Sequence, residues 1–175
     1  MMPAMTTMEQ TNESPATTLC KSCGLCCTGH LFVWSKLRSA ELDSAQALGL
    51  NVIREPNQRG FNQPCPLWDG VCTVYTSPHY PRFCHTYKCK LLKEVLAENI
   101  PLSESLTVVH QAMEMIQELE SFLPASPNIS FRERLVTNME NGNADPKFKL
   151  KANALLNFFE KHFGVNDFFD KLQEE

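Results

Sequence analysis

Long apolar runs are missing from this chain: no stretch nears the ~20 consecutive apolar residues a membrane-spanning helix requires, which argues against a membrane protein. The first eighteen residues, Met1 to Thr18, are polar and rich in Thr and Ser, with neither a basic start nor an apolar stretch. They do not read as a secretory signal, so a cytoplasmic, reducing location is expected, where disulfides rarely persist. There is no glycine-rich phosphate loop, no nucleophile elbow and no H-E-x-x-H zinc-protease pair. The C-x-x-x-C-x-x-C spacing of radical-SAM enzymes is absent as well. The sequence therefore names neither a catalytic dyad nor an enzyme class. Cysteine, too, is missing from residues 91–175.

What is present is concentrated. All eight cysteines fall between Cys20 and Cys89, in a segment also rich in Pro and Gly. At 175 residues and 43% hydrophobic, the chain suits one domain with a real core, or a small module with a helical extension. Its net charge of −4 is unevenly spread: residues 19–95 carry nine Lys/Arg against five Asp/Glu, and residues 96–175 carry seven against thirteen. A modest excess of base around bound thiolates is what electroneutrality favours. The bases are scattered and the whole chain is acidic, which argues against a nucleic-acid surface.

The key stretch is Cys20-x-x-Cys23-x-x-Cys26-Cys27, followed by Cys65, Cys72, Cys84 and Cys89. A C-x-x-C unit lets two thiolates hold one ion while N–H groups in the turn donate to the sulfurs, and three thiols at steps of three can wrap one cluster. Adjacent side chains project to opposite sides, so Cys26 and Cys27 are expected to serve different metals, or different irons of one assembly. Eight thiols suffice for two tetrahedral four-cysteine sites. Buried free cysteine explains one or two such residues but not eight clustered within seventy. A disulfide framework fits the even count, but the expected compartment opposes it. Zinc and an iron–sulfur cluster both accept four thiolates, and spacing does not separate them.

His79, His85 and His30 lie near the cysteines as ligands, sulfur partners or plain loop histidines. His110 and Glu114, at i, i+4, are expected to pair in solvent. Met113 and Met115, and the aromatic set Phe148, Phe158, Phe159, Phe163, Phe168 and Phe169, read as core, or as a docking face for a protein partner if the last helices are exposed.

Three parts follow. Residues 1–18 read as a disordered tail, 19–100 as a cysteine-cluster module and 101–175 as a helical C-terminal extension. Within the module, Ser39 is expected to cap a helix from Ala40 to Leu48 that Gly49 ends, and Asn51 to Ile53 to form a strand stub. The Asp69-Gly70 pair predicts a tight turn that brings Cys65 and Cys72 together. The dense prolines (Pro56, Pro64, Pro66, Pro78 and Pro81) imply a segment held by turns and ligands. Leu91, Leu92, Val95 and Leu96 predict a helix starting at Cys89. A second has Leu106, Val109, Met113, Ile116 and Leu119 on its apolar face and is broken by Pro124 and Pro127. Ser130 and Glu133 form a capping-box signature for a third. Asp145-Pro146 starts a fourth, with Phe148, Ala152, Leu155 and Phe159 on one side and Gly164 at its end, and Asn166 to Gln173 form a last short helix.

The Cys20–Cys27 motif resembles the signature of the YkgJ-like cysteine-cluster family, a zinc- or iron-chelating domain. Pro64-Cys65-Pro66-Leu67 with Asp69-Gly70 and Cys72-Thr-Val-Tyr75 is similar to that family's second block, and Pro81-x-x-Cys84-x-x-Tyr87-x-Cys89 to its third. The resemblance spans about residues 19–100 and implies that all eight cysteines are ligands. Tyr80 and His85 stand where the family usually has arginine, and the step from Cys72 to Cys84 is one residue longer. Related domains occur in a flagellin lysine methylase. The combined expectation is a small, mainly α single domain with an irregular, metal-nucleated N-terminal module. Its cysteines would hold zinc or an iron–sulfur cluster in a redox or enzyme-accessory role, with Lys21, Arg82 and Lys88 tuning the charge. The alternatives are a zinc-stabilised protein-interaction module and a metal carrier or sensor without catalysis.

Overall fold

The computed structural model describes residues 12–166. Most of the expected tail and the expected helix over Asn166–Gln173 lie outside them, as do Phe168 and Phe169. The first element is a helix, α1 (Pro15–Cys23). Ser14 caps it by accepting from the Thr17 N–H at 3.2 Å, Pro15 supplies a preset first turn, and Gly24 ends it in the left-handed conformation. Residues 15–18 are thus helical rather than tail, because cap, proline and glycine act together although Leu19 alone is buried.

The stretch expected to be irregular contains a three-stranded antiparallel sheet. Strands β1 (Trp34–Lys36), β2 (Val52–Glu55) and β3 (Gln58–Asn62) run in the order β1-β3-β2. Val52 pairs with Phe61 and Ser35 with Phe61 from the other side, so β3 is central. Pro56 and Asn57 turn the hairpin between Glu55 and Gln58. The strand stub is therefore real but one edge of a larger unit. Between β1 and β2 lie a 3-10 turn (Ser39–Glu41) and α2 (Leu42–Ala47). The cap expected of Ser39 is made instead by Glu41, whose Oε2 accepts from the Arg38 N–H at 2.9 Å. Leu37, Leu42, Ala45, Leu50 and Phe61 form a small core under this sheet.

After α3 (Arg82–Thr86), the remaining helices are α4 (Lys90–Leu96), α5 (Leu102–Glu120), α6 (Phe131–Glu140) and α7 (Pro146–Phe163). They supply most of the nineteen buried residues of the main core, which also includes Leu19, Leu25 and Leu31. α5 packs on α7, and α1 packs on α4 and α5. The apolar face of α7 is as expected. That of α5 is rotated: Ser105, Val109, Ala112, Ile116 and Leu119 are buried, while Leu106 and Met113 are exposed. Met115 is partly buried against the core, and Phe148, Phe159 and Phe163 lie within it. His110 and Glu114 pair at 3.5 Å on the exposed side. No helix among the described residues is long and apolar enough to cross a membrane.

Candidate metal centre

Cys20 and Cys23, three apart, share a face of α1. Cys26 and Cys27 follow in a turn closed by Thr28 N–H to Gly24 O (2.8 Å) and Gly29 N–H to Cys26 O (3.2 Å). The second block is stitched onto this first one through the backbone. Cys65 N–H donates to Cys27 O at 2.6 Å and Cys72 N–H to Lys21 O at 3.2 Å. Between them the chain turns at Asp69-Gly70, and Trp68 bridges Cys72, so the expected tight turn is present. Cys84 sits in α3, and Cys89 caps α4, its sulfur accepting from the Leu92 N–H at 3.4 Å.

All eight are free thiols of intermediate exposure. Burial raises Cys20, Cys23, Cys26, Cys27, Cys65, Cys84 and Cys89, carrying Cys23 and Cys84 up to about 12. Neighbouring thiols raise all of these except Cys89 further, and their leading neighbours fall into two overlapping sets. Cys26 responds first to Cys23 and Cys89 and then to Cys27 and Cys20, and Cys23 to Cys89 and Cys20. Cys27 responds first to Cys65, Cys72 and Cys84 and then to Cys20, and Cys84 to Cys65 and Cys72 and then to Cys20. The leading neighbours of the adjacent pair thus differ, while Cys20 acts on both sides and Cys27 also acts on Cys26. Packing divides them the same way: Cys20, Cys23, Cys26 and Cys89 lie against the helical core, Cys65 and Cys84 against the core under the sheet. A cavity of about 70 Å³ is bounded by Cys20, Cys23, Cys26, Cys27 and Cys89 together with Leu25, Leu92 and Phe163.

The donor chemistry suits a thiolate-held metal. Backbone N–H groups of Leu25, of Leu67 and Trp68, and of Leu91 and Leu92 bond to the sulfurs of Cys23, Cys65 and Cys89 respectively, each lowering the thiol against the effect of burial. As the side chains stand, however, no three described His, Cys, Asp or Glu groups are gathered into a ready-made metal-holding group. Among the expected tuning cations, Lys88 lowers Cys20. Lys21 pairs with Glu13 and lies 6.0 Å from the Tyr75 ring centre, and Arg82 lines a separate cleft.

The histidines contribute little. His85 and His79 are exposed, and His85 meets the Tyr80 ring edge-on at 4.3 Å. His30 hydrogen-bonds Thr28 Oγ1 and packs on Phe131. A cluster of Phe32, Phe83 and Tyr87, with the last two stacked at 5.3 Å, was not legible because Phe32 lies far in sequence from the other two. Comparison with protein-family models, with curated proteins and with solved structures finds no match.

Proposed function

We propose that this is a metal-binding protein that holds zinc or an iron–sulfur cluster through its eight cysteines in two groups of four. Cys20, Cys23, Cys26 and Cys89 would form one group, and Cys27, Cys65, Cys72 and Cys84 the other. The observation that carries this reading is that the leading thiol neighbours of Cys26 and Cys27 differ, with Cys20, Cys23, Cys26 and Cys89 against one hydrophobic cluster and Cys65 and Cys84 against the other. The resemblance of three ordered blocks to the YkgJ-like family supports the same ligand set. Buried thiols stay protonated and do not attract one another. A bound cation would supply that attraction and replace their protons. A cluster would supply one-electron chemistry for a redox or enzyme-accessory role, whereas zinc would supply a structural tie. Eight free thiols favour a reducing, cytoplasmic setting.

The test is an ultraviolet–visible spectrum with metal and acid-labile sulfide analysis of protein purified without oxygen. Broad visible absorption with iron and sulfide supports the redox role, and a colourless zinc protein supports the zinc-stabilised interaction module instead. Cys23→Ser and Cys65→Ser are each expected to remove about half of the bound metal, since each breaks one tetrahedral site. Unchanged metal content in both variants would sink the ligand assignment.

A further inference from the structure

A second concavity, open to solvent and about 640 Å³ in volume, lies away from the thiol-lined cavity. Its walls come from the end of β1, the 3-10 turn, the β2–β3 hairpin and α3. They bring together Lys36, Arg38, Arg59 and Arg82, with Glu41 as the one acid. All four cations are exposed, and none forms an ion pair among the described residues. Glu41 is already engaged: its Oε2 accepts from the Arg38 N–H at 2.9 Å and its Oε1 from the Arg82 N–H at 3.0 Å. The carboxylate therefore ties the 3-10 turn to α3 by their backbones and leaves the guanidinium groups unpaired. Arg54, on the same sheet, is by contrast paired with Asp43 at 2.7 Å.

Like charges gathered around a concavity repel one another and focus a positive potential into it. We infer that this cleft binds a compact, multiply charged anion, a small molecule carrying clustered phosphate or carboxylate oxygens. Guanidinium forks match such oxygens bidentately, and three arginines line this cleft. The volume falls within the roughly 300–1,000 Å³ of small-molecule sites. The cations ring a hollow rather than follow a face, and residues 96–175 carry thirteen acids against seven bases, which disfavours an extended nucleic-acid strand. Phe83, braced by its stack on Tyr87, adds an apolar wall. The inference uses no thiol and stands apart from the metal reading.

Isothermal titration of the full chain at low salt, with pyrophosphate, citrate and inorganic phosphate, tests this. Saturable binding of pyrophosphate or citrate at one per chain is expected, about tenfold tighter than inorganic phosphate and weakened by added salt. The tighter of the two tells a phosphate ligand from a carboxylate one. Arg59→Gln and Arg82→Gln are each expected to weaken binding about tenfold, the loss of one charged hydrogen-bonding group. Arg54→Gln should leave it unchanged, and circular dichroism checks that each variant is folded. Metal content is measured throughout, because both probes chelate. Heat that tracks metal loss, affinity unmoved by both cleft variants, or no saturation at millimolar probe would overturn the inference. So would an oligonucleotide that displaces pyrophosphate with a salt slope of several phosphates.

Discussion

Single residues decide how the two cysteine blocks meet. Gly24 has a φ of +69°, and a Cβ there would lie 2.2 Å from Trp68 Cζ2, in the loop between Cys65 and Cys72. Gly70 has the same φ of +69° but nothing within 4 Å. The two positions separate backbone strain from contact. Gly70→Ala is expected to cost about 1 kcal/mol, the left-handed penalty alone. Gly24→Ala should cost about 2–4 kcal/mol, because the Trp68 ring must also move. Urea denaturation measures both, and equal losses would show that the Trp68 contact contributes nothing. His30 sets a pH dependence. Burial lowers it to about 4, with Glu120 opposing and Arg134 reinforcing the shift. Its folded form resists a proton that the unfolded chain accepts from its ordinary 6.5 downward, so stability falls as pH drops from 6.5 towards 4. His30→Phe keeps the ring contact with Phe131, and Thr28 Oγ1 keeps its bond to Gly24 O at 2.7 Å. The variant should gain about 1–3 kcal/mol relative to wild type between pH 6.5 and 4. A constant difference across that window would remove His30 as the cause.

At the level of elements, legibility followed local signals. α6 and α7 carry their own caps: Ser130 Oγ accepts from Glu133 N–H at 3.2 Å while Glu133 Oε2 accepts from Ser130 N–H at 3.1 Å, and Asp145 Oδ1 accepts from Lys147 N–H at 2.7 Å. Ser130→Ala should cost about 1 kcal/mol, or ~2–4 °C in melting temperature for a chain of this size. Hydrogen exchange should place the loss in α6, and a loss spread evenly over all helices would contradict a local cap. The face of α5 was misread because Leu106 and Met113 outweigh Ser105 and Ala112 in hydrophobicity. Small side chains let neighbouring helices approach, and the Ser105 hydroxyl is satisfied within its own helix by Pro101 O and Leu102 O at 3.1 and 2.9 Å. β3, with the sequence Gln-Arg-Gly-Phe-Asn, has little strand propensity and exists because β1 and β2 pair with it on both sides. α1 buries one residue and so showed no apolar period. In the candidate site, the turn that joins Cys65 to Cys72 was legible, since its Asp69-Gly70 signal is local. The partners of Cys27 were not, because they depend on how Cys65, Cys72 and Cys84 return to α1.

At the scale of the whole molecule, the described residues form two hydrophobic clusters of unequal size. Nineteen buried residues hold the helices together, while five lie under the sheet. A five-residue core is small for a three-stranded sheet and its loops, so on the proposed reading that side depends on a metal held by Cys27, Cys65, Cys72 and Cys84. Removing the metal with a strong chelator under reducing conditions should therefore act unevenly. Amides of β1, β2 and β3 and of the loop from Cys65 to Cys84 should lose most of their hydrogen-exchange protection. Those of α5 and α7, packed on each other through Ile116, Leu119, Leu155 and Phe159, should keep theirs. Simultaneous loss in both regions would mean one cooperative unit, with the thiol sets no more critical to the sheet than to the helices. Protection unchanged by complete metal removal would mean that the sheet side folds on packing alone, and the thiols would then serve a bound metal without being organised by it.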